Sequence, residues 1–130
     1  MISYNAEHDL LVYRPTGTMD MAGVETYYHA VGQHRDGGCM KRLMDLDRLD
    51  RIDLGFSKMP AIAELARRTR ARDVAYIRVA LLATTPSAQG VANMLARLIG
   101  GEDYFIRVCK GLDEAADYLG VPGALLAPAE

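Results

Sequence analysis

The sequence is poor in cysteine, in charge of one sign and in long hydrophobic runs. Only Cys39 and Cys109 occur in 130 residues. Two isolated cysteines form neither a disulfide framework nor a zinc cluster, so a reducing, cytoplasmic setting is expected. Lys and Arg number 15 against 17 Asp and Glu, a formal net charge of -2. That balance removes the global electrostatic case for nucleic-acid binding. The longest nearly uncharged apolar stretch, residues 79–83, is far too short to span a bilayer. No basic segment leads into an apolar run at the N-terminus, so no secretion signal is expected. What remains is half hydrophobic and one quarter charged, the composition of a globular domain whose length buries a core without disulfides or metal.

Residues 2–5 and 10–14 are short β-type runs split by Glu7-His8-Asp9, which predicts a hairpin. "RPTGTMD" then breaks the strand. Asp20 is placed to cap a helix reaching about His34, with Met21, Val24, Tyr28 and Val31 as its apolar stripe. Gly23 and Gly32 weaken that helix by roughly 1 kcal/mol each. "RDGGCM" reads as a turn and 42–46 as the next strand. Ser57 is expected to cap a helix reaching about Arg70, with Met59, Ile62, Ala63 and Ala66 buried. Residues 76–84 form the strongest strand, "YIRVALLAT". Thr85-Pro86 then starts a helix over 86–99, with Val91, Met94, Leu95 and Leu98 as its stripe. Strand 104–109 follows. A last helix buries Leu112, Ala115, Ala116 and Leu119 and stops at Gly120 and Pro122.

Strands alternating with helices imply right-handed crossovers and an α/β fold. The expected architecture is a mainly parallel five-stranded sheet with an antiparallel N-terminal edge strand and four helices. It forms one domain over 1–122, with 123–130 as a C-terminal tail. Arg42, Arg78 and Arg107 each interrupt a strand, whereas strands covered on both faces read as continuous apolar runs. That pattern predicts helices on one side of the sheet and a second face open to solvent, a partner or another copy of the chain.

The element order resembles the SpoIIAA-like fold shared by STAS domains, which are anti-sigma-factor antagonists, and by the lipid-binding half of CRAL-TRIO proteins. Three segments, "ISYNAEHDLLVYRPTGTMD", "RVALLATTPSAQGVANMLARL" and "YFIRVCKGLDEAADYLGVP", are similar to a bacterial family of small SpoIIAA-like proteins. The STAS switch motif runs Asp-Leu, a few residues, Ile-Asp, small residues including the phosphorylated serine, then glycine. "DLDRLDRIDLGF" matches this frame through Asp45-Leu46 and Ile52-Asp53. Gly55 stands where the resemblance puts the phosphoserine, and Ser57 lies two residues beyond. The resemblance therefore implies a regulatory module without its switch serine.

Asp45, Asp47, Asp50 and Asp53 raise the possibility of acid–base work or of Mg²⁺ held at a strand end. Arg48 and Arg51 lie among them, and acidic side chains are mostly exposed, which favours a solvated or salt-bridged loop. Thr84, Thr85 and Ser87 open a helix at a strand end, where free N–H groups bind anions. The stretch lacks the Lys of a Walker loop and the G-x-S-x-G of a nucleophile elbow, and capping accounts for Thr85 and Pro86. His29 and His34 are five apart, on different faces of a helix, so with Cys39 they make a poor metal set. The basic run 67–73 reads as a solvated helix end suited to the C-terminal dipole. Tyr27 and Tyr28 point in different directions, with one expected at an interface.

No catalytic residue, metal or cofactor is assigned. Candidate ligand- or partner-binding residues are Asp45, Asp47, Thr84, Thr85, Ser87, Arg78 and Arg107. The expected function is a non-catalytic interaction or regulatory module, forming a homodimer or meeting a regulatory protein partner. One alternative is a carrier of a small apolar ligand, with a closed cavity beside the helices that contain Met59 and Met94. A further alternative, an enzyme using Asp45 and Asp47, requires those carboxylates to converge in a cleft.

Overall fold

A computed structural model describes residues 2–34, 40–70, 76–101 and 103–128. Strands β1 (Ile2–Asn5) and β2 (Leu10–Tyr13) form the expected antiparallel hairpin, with Ile2 opposite Tyr13. Asp9 turns the chain at φ 51° and donates its N–H to the Ala6 carbonyl. This is a left-handed position that Asp tolerates better than most residues. Strands β4 (Lys41–Asp45), β6 (Ile77–Leu82) and β7 (Tyr104–Cys109) complete a mixed five-stranded sheet in the order β1-β2-β4-β6-β7. From β2 onward the pairs are parallel, with Leu10 beside Lys41, Lys41 beside Arg78 and Ile77 beside Tyr104.

The four helices are α1 (Met21–Gln33), α2 (Met59–Arg68), α3 (Pro86–Ile99) and α4 (Leu112–Leu119). Two caps act as the sequence predicts. Asp20 Oδ1 accepts the Gly23 N–H at 3.1 Å, and Thr85 Oγ1 accepts the Ala88 N–H at 3.2 Å. Ser57 does not cap α2. It lies in a 3-10 turn, Phe56–Lys58, and the residue at the cap position, Lys58, makes no side-chain bond. The turn feeds straight into the helix, so Lys58 at the cap position is already helical rather than in the extended conformation of a Ser cap. Gly23 has a packing reason: a Cβ there would meet Met19 Sδ at 2.8 Å.

Each step from β2 to β4, β4 to β6 and β6 to β7 moves one strand in the same direction across the sheet. Right-handed crossovers then put α1, α2 and α3 on one face. They cover Leu11, Tyr13, Met44, Val79 and Leu81 with Val24, Val31, Met59, Ile62 and Leu95. The last helix departs from the expected one-sided arrangement. α4 packs on the second face, where Ala115, Ala116 and Leu119 bury Leu10, Val12, Leu43, Ala80 and Leu82. Residues 123–125 form a 3-10 turn that delivers Leu126, fully buried, into the same cluster. The second face is thus closed over its centre.

Two more strands lie in segments that read as loops. β3 (Gly17–Met19) and β5 (Leu49–Ile52) pair in parallel as a separate two-stranded sheet. The Asp53 N–H donates to the Met19 carbonyl at 2.7 Å and extends the pairing. Leu46 is buried, and Leu49 and Ile52 pack half-buried on the core, as anchors of the acidic stretch. In α3 the stripe is rotated slightly. Ala88, Ala92 and Leu95 are buried while Leu98 is 43% exposed. Tyr27 and Tyr28 are both buried, in edge-to-face contact at 4.8 Å, so neither sits at an interface. No helix among the described residues is long and apolar enough to cross a membrane.

Candidate functional sites

The carboxyl ends of the parallel strands gather most of the residues singled out in the sequence. Asp45 ends β4 and is buried rather than solvated. Its Oδ2 meets Arg14 Nη1 at 3.0 Å and Arg48 Nε at 3.5 Å, and its Oδ1 accepts the Asp47 N–H at 3.0 Å. Arg14 also donates from Nη2 to the Leu126 carbonyl. One ion pair therefore ties the ends of β2 and β4 to the C-terminal turn. Asp47 Oδ1 accepts the Thr84 N–H at 2.7 Å and joins the end of β4 to the end of β6.

Asp47, Asp50, Arg51, Thr85 and Ser87 then line a surface cleft of about 420 Å³ between β5 and α3. Asp45 and Asp47 do not converge in it. The first is sealed against Arg14, and the second is engaged by backbone. Asp47 and Asp50 bring negative charge to the cleft beside the start of α3, and Arg51 in the same wall offsets part of it. His29 hydrogen-bonds Gln33 at 3.1 Å and His34 stacks on Tyr4 at 4.4 Å, both away from Ser87's cleft. Cys39 and residues 71–73 of the basic run lie outside the described residues.

Arg78 and Arg107 form a separate group on the second sheet face. The Arg78 guanidinium lies 5.3 Å from the Tyr76 ring and 5.8 Å from the Tyr118 ring, and donates to the Tyr118 carbonyl at 3.1 Å. Arg107 lies 5.5 Å from the same Tyr118 ring and 3.8 Å from Glu114. Both arginines rest on aromatic faces beside α4, a cation–π arrangement.

Arg42 belongs with neither group. Strand alternation turns it to the opposite face from Arg78 and Arg107, where it is fully buried. Its Nη1 donates to the Tyr104 hydroxyl at 2.9 Å. Burial works against its charge, but Tyr27, Tyr104 and Tyr28 outweigh that effect and raise its pKa further. Burial foremost, then the Tyr104 and Tyr27 phenols, hold Tyr28 well above the ordinary tyrosine value. Read only as a strand interruption, Arg42 gives one usable signal in sequence. Alternation sets it on the same side as Met44, a core position.

Beside this cluster, between the sheet and α1–α3, is an internal cavity of about 40 Å³. Its wall is apolar apart from the tyrosine hydroxyls. Met44, Val79 and Leu81 contribute from the sheet, Val24, Ile62 and Leu95 from the helices, and Met19, Ile52 and Leu54 close it. The methionines at its surface are Met19 and Met44 rather than Met59 and Met94. Cys109 faces the other cluster, fully buried. Burial first, then the Glu114 charge, push its thiol up to about 11 against the opposing pull of Arg107. A thiol held protonated is a poor nucleophile at neutral pH. Compared with known proteins, the chain matches no family model and no curated protein.

Proposed function

We propose that the chain is a non-catalytic binding module of the SpoIIAA-like type that takes a small, wholly apolar molecule between its sheet and α1–α3. The cavity beside Met44 and Val79 carries this reading. A void with an apolar lining stays dry and gains from an apolar occupant. The tyrosine and Arg42 groups next to it hydrogen-bond one another, so the site asks for shape rather than for a polar head. Its size suits a group of a few heavy atoms, since one water needs roughly 10–15 Å³ on this scale. A longer ligand requires the β3–β5 pair, which supplies Met19 and Ile52, to move outward.

The test is thermal unfolding under xenon and under propane, on the wild type and on Val24→Ile with Val79→Ile. The added methylenes fill the void. Stabilisation of the wild type should approach about 2.7 kcal/mol at a hundredfold excess over Kd, and the filled variant should lose it. No stabilisation by any such probe rejects the reading.

A second reading, a regulatory protein-interaction module, draws on Phe56. This side chain is 77% exposed, next to Gly55 at the position that the STAS resemblance assigns to the switch. Phe56→Ser should abolish docking of a regulator without changing the unfolding midpoint. Unchanged cross-linking of the variant to its partner would count against it.

A further inference from the structure

Several surface grooves abut the apolar cavity, and they differ in what separates them from it. The cleft beside β5 is walled off by Leu46, Ile52 and Val91, which line both spaces. The groove beside α2 and the end of α3 is walled off by Ile99 and Tyr104. The groove between α1 and α2 shares only Tyr28 with the cavity among the described residues. That ring packs edge to face on Tyr27 and its hydroxyl bonds Tyr104, so it is held at both ends. A groove of about 480 Å³ between β3 and α1 likewise shares a single residue, Met19. Its Sδ lies 2.8 Å from where a Cβ of residue 23 would stand, and Gly23 itself lines the groove. One flexible thioether chain, with three rotatable bonds, therefore stands between the cavity and the outside.

Given an apolar occupant of the cavity, on which the assignment rests, we propose that Met19 is the specificity-determining residue of this site. Its side chain shuts the cavity off from the β3–α1 groove, so the site admits compact apolar molecules and refuses chains that carry a polar head. A head cannot follow its chain inside, because burying an unpaired ammonium costs several kcal/mol. The groove can hold one. Asp20 is the one charged side chain in its lining among the described residues, and Thr16, Thr18 and Thr26 add hydroxyls. A cationic head therefore suits it better than an anionic one. With the Met19 side chain removed, an alkyl chain reaches the cavity while its ammonium stays in the groove at Asp20, and β3 and β5 need not move.

The probe is hexylammonium, an alkyl chain with a cationic head. Thermal unfolding is followed with and without it on the wild type, Met19→Ala and Met44→Ala. Met44 lines the cavity and not the groove, so its truncation enlarges the same space without opening it to Asp20. Met19→Ala should bind the probe at least about tenfold more tightly than either of the others, read as a rise in its unfolding midpoint; tenfold is about 1.4 kcal/mol. If the Ala variants do not fold, Met19→Val and Met44→Val, whose β-branched side chains suit strands, are judged by the same outcomes. A Met19 variant that gains nothing from hexylammonium overturns the assignment. So does a Met44 variant or a wild type that gains as much. Propane keeps the two failures apart. A wild type stabilised by propane beside an unresponsive Met19→Ala removes the role of Met19 alone, whereas a wild type that responds to neither xenon nor propane removes the cavity reading as well.

Discussion

Replacing Leu126 with Ala asks whether the C-terminal turn is part of the domain. The side chain is fully buried against Leu10, Val12, Leu43 and Leu119. Leu→Ala at such a site costs about 2–5 kcal/mol, the transfer of the lost methyl groups plus the cavity they leave. The carbonyl that accepts from Arg14 is backbone and survives the substitution, so the packing loss is isolated from the polar one. For 130 residues the unfolding entropy is about 0.27 kcal/mol per degree near the midpoint. A loss of about 3 kcal/mol then lowers Tm by about 11 °C. In urea the midpoint should fall with m unchanged, the signature of lost stability rather than an altered unfolded state. Ala124→Ser, at an exposed position of the same turn, is the control and should stay within about 0.5 kcal/mol. If Leu126→Ala also stays within about 0.5 kcal/mol, the segment is not docked and the closure of the second face is wrong.

Two further outcomes follow from the buried polar groups. Asp45→Asn removes the carboxylate shared by Arg14, Arg48 and the Asp47 N–H. It should cost on the order of 3 kcal/mol in urea unfolding, whereas Arg14→Met with Asp45→Leu recovers part of that loss. Equal losses in the single and double variants would show that the charge pair is not the cause. The Cys109 thiol holds its proton up to about 11 when folded, against an ordinary thiol value of 9.0. Between those values the unfolded chain binds fewer protons, so the stability this thiol contributes is complete below about pH 9 and falls as pH rises. Cys109→Ala should flatten that part of the stability profile, and Ellman's reagent should label Cys109 at pH 8 only as fast as the protein opens.

Much of the fold was legible because its larger elements carry local signals. Asp20 and Thr85 announce their helices, and the apolar run of β6 announces a strand, although Arg78 within it pointed wrongly to an open second face. β3 and β5 were not legible. "GTM" and "LDRI" are too short and too mixed for period-2 alternation, and each is a strand only because the other lies beside it. The placement of α4 was hidden for a different reason. Periodicity tells which residues of a helix are buried but not which sheet face buries them. The crossover rule decides that for α1–α3, but α4 leads to no further strand. The strand arginines misled for a related reason. They break apolar runs equally in sequence, yet Arg42 is enclosed by tyrosines while Arg78 and Arg107 lie on aromatic rings near the surface. At the candidate site, Asp47 and the Thr84–Ser87 stretch read as two separate strand ends, and it is the structure that sets them side by side. The sequence did not disclose that Asp45 and Asp47 are occupied by Arg14 and the Thr84 backbone, since Arg14 and Asp45 are 31 residues apart.

The late cover over the second face has a consequence for synthesis on the ribosome. Leu10, Val12 and Leu43 emerge well before their cover, α4 and Leu126. Translation proceeds at about 5–20 residues per second, so for seconds a nascent chain with its first strands made offers a greasy sheet surface to whatever is nearby. Chaperones that hold apolar segments should engage this chain until residues 112–126 clear the exit tunnel. Nascent chains stalled just short of that point should be the ones that aggregate.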